Sequence, residues 1–165
     1  MTAANIYLLR ANRTLRISSS WSPLKVEVTR GVLVKAVSGL DFENRTVDIP
    51  TFGKKATVLM CFSPVCPFCE KNWPSWSLLI NSVGDKNVNF VVVDLTSDAT
   101  PEFLASKHIG RAQVIHRLNP QDVVTLNLAL TPQTVVIGGD SKVEKVWTGV
   151  LSADDLRSLT TLLKS

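Results

Sequence analysis

The chain has 165 residues, 45% of them hydrophobic and 19% charged, with a formal net charge of +4. That length fits one domain with a sizeable core, and that composition excludes a disordered chain. The basic excess is modest and no Lys/Arg run is dense enough for a nucleic-acid surface; Arg10, Arg13 and Arg16 come nearest, so no nucleic-acid partner is expected.

Residues 1–30 read as an extension, and residues 31–165 as the domain. Within the extension, residues 3–9 are apolar and spaced arginines follow them. This fits either the tail of a membrane anchor lying upstream of residue 1 or a short surface helix. Ser18, Ser19, Ser20 and Pro23 interrupt the segment, and residues 24–28 alternate as an edge strand would. Residues 32–37 and 46–49 predict a hairpin with its turn at residues 41–44. Residues 56–62 are almost continuously apolar, the pattern of a central strand buried on both faces.

From Pro67 to about residue 83, Trp73, Trp76, Leu79 and Ile80 recur at helical spacing. Pro74 should kink this helix and Gly84 should stop it. Residues 88–95 form a second buried strand, completing a βαβ unit. Thr100-Pro101-Glu102 opens a helix that Gly110 should follow. A short strand at 114–118, a short helix at 122–128 and a hairpin pairing 134–137 with 143–147 come next. A last helix is capped by Ser152 and buries Leu156, Leu159, Leu162 and Leu163.

The three cysteines, Cys61, Cys66 and Cys69, crowd into one short segment. An odd, clustered set cannot staple distant parts of a fold, so it points to chemistry. Cys66-Pro67-Phe68-Cys69 sits between the buried strand and the helix. There the unpaired N–H groups and the positive dipole end stabilise a thiolate at Cys66. Cys66 is the candidate nucleophile and Cys69, one turn on, the resolving thiol. A zinc half-site would need a second ligand pair. The only histidines, His108 and His116, are badly spaced for it. Cys61 is either a small core residue, which its apolar strand context favours, or a third thiol that captures a disulfide under stress. Val65, Phe68 and Trp73 are apolar candidates for a substrate groove, although Trp73 and Trp76 also suit a core.

Strand, Cys66-x-x-Cys69, a helix with Pro74, strand, and then Thr131-Pro132 resemble the thioredoxin superfamily, in particular its TlpA-like, redoxin-type branch. The resemblance implies a three-layer α/β/α sandwich with a central mixed sheet and an N-terminal β-hairpin. It implies thiol–disulfide exchange by Cys66 and Cys69, with no cofactor and no metal. Thr131, a cis Pro132, Pro67, Phe68 and Val65 would meet the substrate. The implied partners are a disulfide-containing protein substrate and a redox partner that recycles the pair. The implied location is extracytoplasmic, as a periplasmic or membrane-attached protein.

The sequence departs from the family pattern at three places. Val65 replaces a tryptophan, Met60 replaces a buried acid, and Glu70 replaces a lysine. Two rival activities share the fold. In a peroxiredoxin-like thiol peroxidase, Ser63 would stand three residues before the reactive Cys66. A metal chaperone would need a longer cysteine spacing and a late histidine.

Overall fold

The computed structural model describes residues 30–84 and 87–165. The apolar segment at 3–9, the spaced arginines and the strand expected at 24–28 lie outside the described residues.

The main sheet grows from β3 (Ala56–Phe62), whose seven residues are all buried. β4 (Val88–Asp94) lies parallel to it on one side and β7 (Gln133–Gly138) antiparallel on the other. β5 (Gln113–Ile115) and β8 (Val143–Thr148) complete the order β5-β4-β3-β7-β8. A strand of Val, Leu, Met and Phe with no polar side suits this middle position, because both of its faces are covered.

Alternation along β3 divides the interior into two cores. Val58, Met60 and Phe62 face α1 (Pro67–Ser82) and α4 (Ala153–Lys164), with Leu104 of α2 (Pro101–Ala105) completing that layer. Leu59 and Cys61 face the other way. They meet Val37 and Ile49 of the hairpin β1 (Ala36–Leu40) and β2 (Thr46–Pro50), and Leu126 of α3 (Pro120–Leu126). The small sheet on that side has the order β2-β1-β6, where β6 is Arg117–Leu118.

Several boundaries differ from the sequence expectation. The first strand starts at Ala36. Residues 31–34 instead run along the end of β8, with Gly31 N–H donating to the Val143 carbonyl at 2.8 Å and Val143 N–H to the Val32 carbonyl at 3.0 Å. β1 runs on through Gly39, where a Cβ would collide with the Arg117 carbonyl of β6 and with Ile115; the glycine lets the two backbones approach. The single strand expected at 114–118 is broken at His116, so that β5 joins the main sheet and β6 the small one. α2 stops at Ala105, well before Gly110.

α1 ends at Val83 in an extended conformation whose N–H still reaches the Leu79 carbonyl, so Gly84 is not needed to stop it. α4 carries a reciprocal capping box between Ser152 and Asp155. No helix among the described residues is long and apolar enough to cross a membrane.

Candidate active site

β3 ends at Phe62, a turn carries the chain past Pro64, and Cys66 becomes the N-cap of α1. Its Sγ does what a capping oxygen would do. It accepts the Cys69 N–H at 3.3 Å, while the Cys66 N–H donates to the Ser63 carbonyl at 3.1 Å. Pro67 takes the first helical position, where a missing N–H leaves nothing unpaired. From the other side of the cleft comes the segment before β7. The Thr131–Pro132 peptide bond is cis, and the Cys66 thiol donates to the Thr131 carbonyl at 3.5 Å. Cys66, Cys69, Thr131 and Pro132, remote in sequence, are thus brought together at the end of the central strands.

The two thiols sit in unlike surroundings. Cys66 is half-buried and Cys69 is only 1% exposed. Burial opposes ionisation of Cys66. The Cys69 side chain, the Thr131 side chain and the N–H groups of Cys69 and Phe68 outweigh it, and the thiol ionises below the ordinary value of 9.0. Burial, followed by the contact with Cys66, pushes Cys69 up to about 12, although the Ser63 backbone acts in the opposite sense. The arrangement therefore favours one thiolate at the surface and one protonated thiol behind it. Cys61 lies in the opposite core, fully buried, and burial pushes its thiol up to about 12 as well.

Glu70 follows Cys69, and an unmatched charge there would disfavour a thiolate. The structure matches it. Lys107 Nζ donates to both Glu70 carboxylate oxygens at 2.7 and 2.8 Å and lies 4.4 Å from the Phe103 ring centre. Met60 is fully buried between Val92 and Thr134, so that strand position offers no base.

Val65 is 81% exposed and Phe68 57%. Pro67 is exposed beside them. Leu130, next to Thr131, and Val150, next to Gly149, are also exposed. Trp73 does not join them. It is 4% exposed and packs edge-on to Phe62 and Trp76. Trp76 donates to the Thr134 hydroxyl at 2.9 Å, tying α1 to β7.

Sequence reasoning missed Asn72. It is fully buried one turn beyond Cys69, and its Oδ1 accepts the Leu151 N–H at 2.9 Å. A polar residue within a helix ordinarily reads as solvent-facing. Its spacing of three from Cys69 was the signal that it shares the inward face. Among the described residues, no group of three or more His, Cys, Asp or Glu is arranged to hold a metal ion.

No family model and no curated protein matches the sequence. Solved structures do resemble it. StoA from Bacillus subtilis aligns at 18% identity with a TM-score of 0.59, over 79% of this chain and 98% of that one. A thioredoxin-family thiol:disulfide interchange protein from Chlorobium tepidum aligns at 16% identity and TM-score 0.65, over 82% of this chain and 96% of its own. A peroxiredoxin-like protein from Aquifex aeolicus aligns at 17% identity and TM-score 0.65, over 83% and 88%. The chain therefore has a thioredoxin-like fold, with the mixed sheet and N-terminal hairpin that the resemblance implied.

Proposed function

We propose that the protein is a thiol–disulfide oxidoreductase that exchanges a Cys66–Cys69 disulfide or dithiol with protein substrates, acting as a reductase. The observation that carries this reading is the asymmetry of the pair. Cys66 caps a helix at the surface with its pKa lowered, and Cys69 is buried behind it with its pKa raised to about 12. In the reducing direction the Cys66 thiolate attacks a substrate disulfide. One substrate sulfur leaves as a thiolate, and the other stays bound to Cys66 as a mixed disulfide. Cys69 then loses its proton and attacks Cys66 Sγ, releasing the second substrate thiol and leaving a Cys66–Cys69 disulfide. Two electrons pass to the substrate, and a partner dithiol must return them.

In this reading Thr131 and Pro132 position the substrate chain. Val65, Pro67 and Phe68 contact the residues that flank its cysteine. The similarity to StoA and to the Chlorobium tepidum interchange protein supports the activity. The TlpA-like resemblance supports an extracytoplasmic location, periplasmic or membrane-attached.

The test is trapping. A Cys69→Ser chain should accumulate a mixed disulfide with an oxidised protein substrate, and a Cys66→Ser chain should form none. Turnover by Cys66→Ser would overturn the assignment.

A second reading, thiol peroxidase, is favoured by one observation. The Ser63 hydroxyl, three residues before Cys66, is buried with no hydrogen-bond partner. Consumption of hydrogen peroxide faster than exchange with disulfides would select it.

A further inference from the structure

We propose that Asn72 is a positioning residue, which holds the Thr131–Pro132 segment against Cys66 through the main chain of residues 149–151. The proposal rests on the disulfide-exchange reading and adds a role to a residue outside the thiol pair.

Three contacts close a ring that starts and ends on α1. Asn72 Oδ1 accepts the Leu151 N–H at 2.9 Å. Two residues earlier, the Gly149 N–H donates to the Pro132 carbonyl at 2.8 Å. The neighbouring Thr131 carbonyl accepts the Cys66 thiol at 3.5 Å, and Cys66 caps the helix that carries Asn72. Leu151 is buried in the core that α1 faces, so the loop is seated at that end. Gly149 turns the chain with φ +95°, a value that side chains beyond glycine adopt only under strain.

An apolar side chain would fill the core position as well but would leave the buried Leu151 N–H without an acceptor; the amide meets that need at the cost of its own Nδ2. The Leu151 N–H requires an acceptor, which fixes the oxygen of the amide and leaves Nδ2 buried without a partner. Orphaned groups of this kind are uncommon, and departures from folding logic concentrate at functional sites. Here they concentrate at this one. The buried, unpartnered side-chain atoms of Ser63, Asn72, Trp73 and Gln133 all lie within four residues of Cys66, Cys69 or Pro132, with His116 the remaining case among the described residues.

The consequence is selective. A protein substrate must lie along Thr131 while its disulfide meets Cys66. A small disulfide needs only the thiolate.

The experiment compares wild type, Asn72→Leu and Gly149→Ala, all reduced, with two oxidants: insulin and the small aromatic disulfide DTNB. Asn72→Leu should slow the reaction with insulin at least tenfold more than the reaction with DTNB. Gly149→Ala disturbs the other arm of the ring, where a methyl group meets nothing within 4 Å, and should give the same split. If Asn72→Leu loses its near-UV circular dichroism, Gly149→Ala decides alone. Equal slowing of both oxidants, or of neither, overturns the positioning role. A wild type that takes DTNB but not insulin overturns it too, while leaving exchange intact. A wild type inert to both overturns the exchange reading itself.

Discussion

Replacing Cys66 by Ser leaves Cys69 and Cys61 as the protein's thiols, and the structure sets how slowly they should react. Cys66 ionises below 9.0 and Cys69 at about 12, a gap of at least about three units. Below pH 9 the thiolate fraction at Cys66 therefore exceeds that at Cys69 by roughly a thousandfold or more. The more basic thiolate is intrinsically the better nucleophile. With a Brønsted slope of about 0.4–0.5, that returns roughly thirtyfold of the difference. A net preference of about thirtyfold remains before access is counted. Cys69 is 1% exposed and Cys61 fully buried, so access can only widen it. The assay is alkylation of the reduced protein by iodoacetamide between pH 6 and 9, followed by mass spectrometry. In the wild type, below its own midpoint, Cys66 should be alkylated about thirtyfold or more faster than Cys69. Cys66→Ser removes the Cys66 contacts that help to raise Cys69, but burial still holds that thiol up, so the variant should react more slowly than wild type. A preference of threefold or less for Cys66 over Cys69 would refute the reasoning, as would a Cys66 midpoint above 9.0.

Three further outcomes follow from the same geometry. The reduced protein should lose stability as pH rises from about 9 towards 12. The unfolded chain releases its thiol protons first, whereas Cys61 and Cys69 hold theirs to about 12. Urea unfolding should show a loss of up to about 1.4 kcal/mol per pH unit for each of these thiols, and Cys61→Ala should make the decline shallower. Thr134→Val leaves the buried Trp76 indole N–H without its acceptor; denaturant titration should show about 1–3 kcal/mol of destabilisation. Gly39→Ala forces a methyl group against the Arg117 carbonyl and Ile115. It should destabilise the fold by about 1–3 kcal/mol while leaving the pH midpoint of Cys66 alkylation in place, because the small sheet covers the face of the main sheet opposite to the core that holds Cys69 and borders Cys66.

The parts of this architecture that sequence could convey are those with a local cause. An all-apolar strand must be central, so residues 56–62 placed β3. Cys-Pro-x-Cys at the start of an apolar-periodic segment marks a helix N-terminus, so Cys66 could be set at the cap of α1. Ser152 and Asp155 announced the last helix through their reciprocal bonds.

What stayed hidden depends on distant chain. The break at His116 exists because β5 and β6 pair with different sheets, and β6 approaches β1 only where Gly39 carries no Cβ. No pattern within residues 113–118 encodes that division. Glu70 looked like an unmatched charge until the fold brought Lys107 to it. Asn72 is legible only once the loop before α4 presents the Leu151 N–H. Helical spacing favours the core over the groove for Trp73 and Trp76. The mutual ring packing and the Trp76 bond to Thr134 place both inside.

The central claim is that Cys66 and Cys69 form one redox couple, and an equilibrium titration of the protein against glutathione and dithiothreitol mixtures tests it directly. The account predicts a two-electron transition between a dithiol and a Cys66–Cys69 disulfide, with a potential near ~−270 mV for a reductase. A value near ~−120 mV would keep the couple but reverse its direction, making the protein an oxidant. Failure to form a Cys66–Cys69 disulfide at any poise would contradict the claim.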